Sequence, residues 1–464
     1  EEAFLNDVDW LDNLKLRVSY GEVGNDGINS SLWSQNWEAT SDKRYQGAVN
    51  GAFLPSYSLG ADMANKDLKW ETTITRNIGV DFGFFNSRLT GTIDAYWNTT
   101  KDLLMKTAIP GITGFTSTYA NVGQTSNKGI EFALQGVLVK TRDWNVTAGF
   151  NINFNRGKVD KLADNVTGLY GTEWATSSTF PKSDYVLKEG RPVGLVRGLT
   201  ADGFYTTDDF TYENGVYTLK EGVADVSSAV FPNYHLHNGM NERPAGQLAY
   251  PGMAKFKDLN DDGIINDDDV DVIGDMTPVH TGGFNINATY KNFDLGLYFN
   301  WSYGNEIYNV NKLAALYGYK EGAVYENKLS IVKDCYKIYD VVNGELVALT
   351  TPEQLNAANA NAKLPLAYSE NGYVSTLGIE DGSYLRLNTL TLGYTLPKSM
   401  LQKAGISNLR VYGSIYNVFT ITGYSGIDAE VSTSTSTKTY PQLGMDWGTY
   451  PRARSFVLGV NLSF

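Results

Sequence analysis

The chain has 464 residues, a formal net charge of −13 and one cysteine; this excludes a basic phosphate-binding stripe, an internal disulfide and a cysteine-built zinc site. Aromatic residues make up 13%, glycine occurs 47 times and charged residues reach only 19%, a composition of strands and tight turns that predicts an all-β fold. No run of about 18 apolar residues occurs, so a helical membrane span is excluded. The mean hydropathy of −0.28 does not exclude a membrane barrel, whose strands show only one face to lipid. No signal peptide stands at Glu1, and the chain is read as either a mature exported protein or, in preference, a piece that starts inside a longer one.

In chain order, alternation predicts strands over Leu14–Gly24, Lys69–Phe85, Arg88–Lys106 and Gly129–Lys140. The cleanest pattern follows: Trp144, Val146, Ala148, Phe150, Ile152 and Phe154 oppose Asn145, Thr147, Asn151 and Asn153. Phe284–Tyr290 and Phe293–Tyr303 repeat it, and Tyr384–Leu396, Leu409–Thr422 and Arg454–Phe464 complete about ten strands. Several sustain the roughly 9–11 residues that a tilted transmembrane strand needs. Two are out of phase: Arg76 falls among Ile74, Ile78 and Val80, and Leu385 and Leu387 disagree with Leu390 and Leu392. A bulge or an end at the aqueous interface accounts for either.

The connections alternate in length. Phe85–Arg88, Lys140–Asp143, Tyr290–Phe293 and the stretch from Pro397 to Asn408 are short, whereas 25–68, 107–128, 157–278, 310–381 and 423–451 are long. Outer-membrane barrels have short periplasmic turns and long extracellular loops, so this parity predicts loops outside and a periplasmic C-terminus. The last strand ends on an apolar face of Phe456, Leu458, Val460, Leu462 and Phe464. Asn151, Asn153, Asn285, Asn287 and Asn300 would give the lumen a neutral, hydrogen-bonding wall.

Four stretches carry a family resemblance: LKLRVSYGEVGNDGI at Leu14–Ile28, KDLNDDGIINDDDVDVI at Lys257–Ile273 with SYGNEIYN at Ser302–Asn309, the long run Ser383–Glu430, and PRARSFVLGVNLSF at Pro451–Phe464. Together they resemble the SusC/RagA-type TonB-dependent outer-membrane transporters. The resemblance implies a transmembrane antiparallel β-barrel of 22 strands, of which residues 1–464 are the C-terminal portion of one domain. It also implies a plug domain and a TonB-engaging segment outside this chain, a SusD-type surface lipoprotein as lid, and oligosaccharides or oligopeptides as cargo.

The sharpest local motif runs from Asp258 to Asp269 and matches an EF-hand-type loop in its first seven positions. Asp258, Asn260 and Asp262 would supply side-chain oxygens to Ca²⁺ and Ile264 its carbonyl, with Gly263 allowing the sharp turn. Asp269 stands where a longer Glu usually closes the site, so a metal-free acidic turn held by Asx hydrogen bonds is the alternative. Trp33, Trp37, Trp174 and Trp447 lie in long loops and are candidate substrate platforms, since sugars and peptide side chains lie well on exposed rings. Their alternatives are loop cores, the aromatic girdle and the lid interface.

His235 and His237 form an H-x-H pair read as polar loop surface. Neither a nucleophile elbow nor a phosphate loop occurs, so no enzyme is expected. An energised importer is therefore the leading reading. A passive porin-like channel and a surface glycan-binding β protein without a membrane span are the competitors.

Overall fold

The structure is a computed structural model that describes residues 8–27, 32–35, 37–40, 47–54, 56–60, 62–164, 166–176, 179–231, 243–316, 329–367, 372–401, 405–431 and 442–464. The expected strands form one antiparallel sheet: β1 (Leu11–Asn25), β2 (Glu71–Phe84), β3 (Leu89–Ala108), β4 (Ser117–Lys140), β5 (Trp144–Lys161), β6 (His280–Tyr290), β7 (Phe293–Tyr303), β8 (Tyr384–Thr395), β9 (Asn408–Thr422) and β10 (Ser455–Ser463). Each pairs with the next, an up-and-down meander with β1 and β10 at its edges.

Lipid on one face and water on the other explain the alternation. Phe150 stands opposite Phe284, and Phe284 opposite Phe299, with the last two rings stacked at 4.3 Å. On the other face Asn287 donates to Asn285 at 3.0 Å, and the Tyr298 hydroxyl donates to Asn287 at 3.1 Å. Arg17 bridges Asp81 and Asp94 at 2.9 and 2.8 Å, so these three charges on this face are paired.

Aromatic residues gather at both ends of the apolar face. Trp10 with Phe84, Trp144 with Tyr290 and Phe293 with Tyr394 sit at the short-turn end, with ring centroids 5.4, 4.4 and 4.7 Å apart. At the other end His280 lies 5.0 Å from Tyr303 and 5.3 Å from Phe154. From Phe293 to Tyr303 the strand rises roughly 33 Å. Tilted by about 40°, it spans about 25 Å, the height of a lipid-facing band.

Both phase irregularities have a cause. Against β7 the register skips Asn388, and β8 and β9 shift together between Leu387 and Thr389. This bulge turns Leu385 and Leu387 onto the same face as Leu390 and Leu392. At Arg76 the ladder with β1 is unbroken. The guanidinium lies 6.0 Å from the Tyr20 ring and donates to Thr99 Oγ1 at 3.4 Å, the arrangement of a cation at the wet end of the strand.

One expectation is corrected. The connection expected over 107–128 is mostly strand, because β3 and β4 stay paired up to Ala108 opposite Ser117 and leave only a short tip. The sequence there, STYANVGQTSNK, is polar on both sides. A hairpin that rises clear of lipid has no apolar face to reveal it.

Consecutive antiparallel strands place the connections β5–β6, β7–β8 and β9–β10 at one end, where they fold together into a cap. Glu306–Asn309 pairs with Ile379–Asp381 on one side and with Met445–Asp446 on the other, joining the β7–β8 connection to the β9–β10 connection. Tyr205, Tyr217, Tyr250, Ile265 and Leu355 are fully buried in the largest core. At about 1.5–3 kcal/mol for each large apolar side chain, the cap is a packed layer. Arg386 of β8, only 2% exposed, fastens it to the wall through Asp428, Glu430 at 3.0 Å and Thr420 at 3.0 Å.

Candidate functional site at the loop cap

Glu380, just before β8, is the hub between two long connections. Its carboxylate accepts from Lys312 and Asn309 at 3.1 and 3.2 Å, and from the Ser425 amide and hydroxyl, both at 2.9 Å. Lys312 lies on α1 (Val310–Leu316), and Ser425 belongs to the β9–β10 connection. Burial works against ionisation of Glu380, but the Ser425 bonds and the Lys312 ammonium outweigh it and hold the carboxyl below its ordinary range.

Beside this hub lies a cavity of about 580 Å³, lined among others by Asn311, Lys312, Ser425, Asp446, Trp447 and Thr449. Asn311 accepts from the Gly448 amide at 3.0 Å and donates to the Asp446 carbonyl at 3.2 Å, which fixes the turn that carries Trp447. The Tyr424 hydroxyl donates to Asp446 Oδ2 at 2.7 Å; burial and this carboxylate both push its pKa up, so it stays a donor. A second hollow, of about 690 Å³, lies against the sheet among Asp81, Gln135, Asn151, Asn285 and Tyr298. It gives the neutral wall expected from the asparagines a concave, polar surface.

The four candidate tryptophans are not brought to one place. Trp33 and Trp37 are exposed in the β1–β2 connection, Trp37 on a short strand paired with Ser56–Leu59. Trp174 is half-buried, edge-on to Tyr308 at 6.4 Å, and its amide is held by Asp184 at 2.9 Å. Trp447 is the one that lines the cavity. His235 and His237 lie outside the described residues.

The residues of the acidic loop do converge. Asp258 accepts from the amides of Asp262 and Gly263 at 3.3 and 2.7 Å, and Asp262 accepts from the Ile264 amide at 2.9 Å and from Asn260 at 3.0 Å. The Ile264 carbonyl accepts from Asn266 at 3.1 Å. Asp269 is wholly buried and accepts from the amides of Leu259 and Asn266 at 2.7 and 2.8 Å. Gly263, at φ +83, makes the turn expected of it. Among the described residues no three acidic, histidine or cysteine side chains stand at metal-ligand spacing.

Sequence reasoning missed Glu380, Arg386 and Asp446. Their partners are supplied by other connections, and the only local signal is a charge inside or beside a strand that is otherwise neutral.

A meander with a one-sided apolar band, an aromatic belt at each end and all long connections on one side defines the wall of an outer-membrane β-barrel. Residues 7–250 match the profile described as TonB dependent receptor-like, beta-barrel, and the chain belongs to that family. Over its whole length it is 30% identical to TonB-dependent receptor P3 of Formosa agariphila, covering 40% of that protein. It is 29% identical to TonB-dependent receptor SusC of Bacteroides thetaiotaomicron, covering 39%. The chain thus spans about two fifths of the length of these curated relatives. The structure of the RagAB peptide transporter shares the fold, with a TM-score of 0.68, 24% identity and coverage of 100% of this chain and 42% of that one. The chain is accordingly part of the barrel wall of a TonB-dependent receptor-like protein.

The Glu380 hub has a pH dependence whose direction follows from its lowered pKa. Its contribution is present above the ordinary value of 4.5 and is lost as pH falls through the lower folded value. Hydrogen exchange over 309–316 and 423–427, taken relative to the intrinsic rate at each pH, should therefore accelerate on acidification. Glu380→Gln should accelerate it already at neutral pH, by an amount equivalent to about 1–3 kcal/mol.

Proposed function

We propose that this wall belongs to a TonB-dependent importer of oligomeric nutrients, with oligosaccharides as the favoured cargo and oligopeptides as the second. It lies in the outer membrane of a Gram-negative bacterium of the Bacteroidetes kind, with the cap outside the cell and the C-terminus in the periplasm. A plug in the remainder of the protein gates the lumen and engages TonB, and a SusD-type lipoprotein covers the cap. The observation that carries this reading is the cap itself: long connections fold into a packed layer with a polar, aromatic cavity, on the side opposite the short turns. A plain pore needs no such layer.

The sheet requires the rest of the barrel. Among the described residues β1 and β10 each have one neighbour, and their outer backbone groups would meet hydrocarbon without partners. Further strands must close the circle. The asparagine-rich lumen wall, with Arg17, Asp81 and Asp94 in mutual ion pairs, suits neutral cargo, and the relatives leave both sugar and peptide open: SusC is a TonB-dependent receptor and RagAB a peptide transporter.

Deleting the gene should abolish growth on one class of neutral oligosaccharide and leave growth on the free monosaccharide intact, and loss of TonB should reproduce the defect. Growth that survives loss of TonB but not of the gene would point to a passive channel, and growth unaffected by either would defeat import.

The loop Asp258–Asp269 is proposed to take Ca²⁺, with oxygens from Asp258, Asn260, Asp262 and the Ile264 carbonyl, and with Asp269 closing the loop. The support is the turn at Gly263, around which Asp258 accepts from the amides of Asp262 and Gly263 and Asn260 donates to Asp262, together with a donor set of hard oxygens. Calcium should slow proteolysis within 257–273, and Asp258→Ala combined with Asp262→Ala should remove that protection. Equal cleavage of the wild-type protein with calcium and with chelator would leave a metal-free Asx turn.

A further inference from the structure

The cavity beside Trp447 is assembled from segments far apart in sequence, and its walls are fixed. Asn311 holds the turn 446–448, Glu380 ties α1 to Ser425, and Arg386 fastens the segment that continues from Ser425 to Glu430. Sites held in this way lose little freedom when a ligand enters. The volume of about 580 Å³ lies within the usual range of small-ligand pockets, about 300–1,000 Å³.

Its chemistry is selective. Trp447 is 48% exposed, an apolar platform at the cavity wall. Asp446 is only 3% exposed; Tyr424 serves its Oδ2, and its Oδ1 has no hydrogen-bond partner. The Thr449 hydroxyl, in the same lining, is also buried without a partner. A buried acceptor without a donor is costly, so such a pair favours an incoming group that donates. Lys312 does not serve Asp446, because it is bonded to Glu380.

The geometry points to a subsite for one ring of a neutral oligosaccharide, with the C–H face of the sugar on Trp447 and its hydroxyls donating to Asp446. Thr449 accepts from or donates to a neighbouring hydroxyl, and Asn311 is a positioning residue. The assignment rests on the importer reading above and narrows it to a sugar, at a stated place in the cap.

The test is calorimetric titration of the detergent-purified protein with a panel of neutral oligosaccharides (α- and β-linked glucans, fructans, mannans, xylans) and with a lysine-containing peptide. Wild-type protein should bind a glycan. Trp447→Ala should weaken that binding at least about tenfold, Trp447→Phe less, and Asp446→Asn about tenfold, a factor well resolved by calorimetry. Leu346→Ala, exposed on a hairpin of the β7–β8 connection, should bind as wild type, and unchanged melting temperatures identify variants that are folded.

Glycan binding that survives both Trp447→Ala and Asp446→Asn in folded protein would overturn the subsite while leaving import intact. Peptide binding that Trp447→Ala abolishes, without glycan binding, would overturn the sugar assignment. Wild-type protein that binds neither class would count against both the subsite and the importer reading.

Discussion

Hydrocarbon offers no hydrogen-bond partner to a peptide group, and that constraint organises the whole molecule. Every strand from β2 to β9 has a neighbour on both sides, so backbone donors and acceptors inside the sheet are satisfied by the ladder. Side chains then need only to suit lipid on one face and water on the other. The bulge at Asn388 shows how strict the requirement is. One extra residue would invert everything beyond it, and the register shift with β9 keeps the leucines of β8 on the apolar face.

Beyond the membrane the constraint relaxes, and a different physics takes over. The cap is held by its own apolar core and by a few charged hubs, as soluble domains are. Arg386 and Glu380 mark the boundary between the two regimes. One fastens the β9–β10 connection to β8, and the other fastens that connection to α1. Removing a partner from a buried ion pair leaves an uncompensated charge, so the cap and wall are coupled more firmly than their few covalent crossings suggest. The cavity beside Trp447 owes its shape to this coupling.

The membrane part was legible because lipid imposes a period of two that survives in the residue order. All ten wall strands were recognisable from it, including the irregular β8. What faces water on both sides left no such trace. The outer half of β4, from Ser117 to Lys128, read as loop, and the cap core formed by Tyr205, Tyr217 and Tyr250 could not be assembled from residues so dispersed. The same limit applies to the site. The turn at Gly263 was visible because an acidic loop is contiguous, and Trp447 stood out as a loop aromatic. Asp446, Glu380 and Arg386 acquire meaning only from partners dozens of residues away. Trp174, equally conspicuous in sequence, packs against Tyr308 instead of standing free.

The central claim is that β7 crosses the bilayer with one face in lipid and one in the lumen. Spin labels placed singly at residues 295, 296, 297 and 298, in the protein reconstituted in lipid with Cys335→Ser as background, measure this directly through accessibility to oxygen and to a water-soluble nickel chelate. Labels replacing Leu295 and Leu297 should favour oxygen, and those replacing Gly296 and Tyr298 should favour the chelate. Equal chelate accessibility at all four positions would contradict the account.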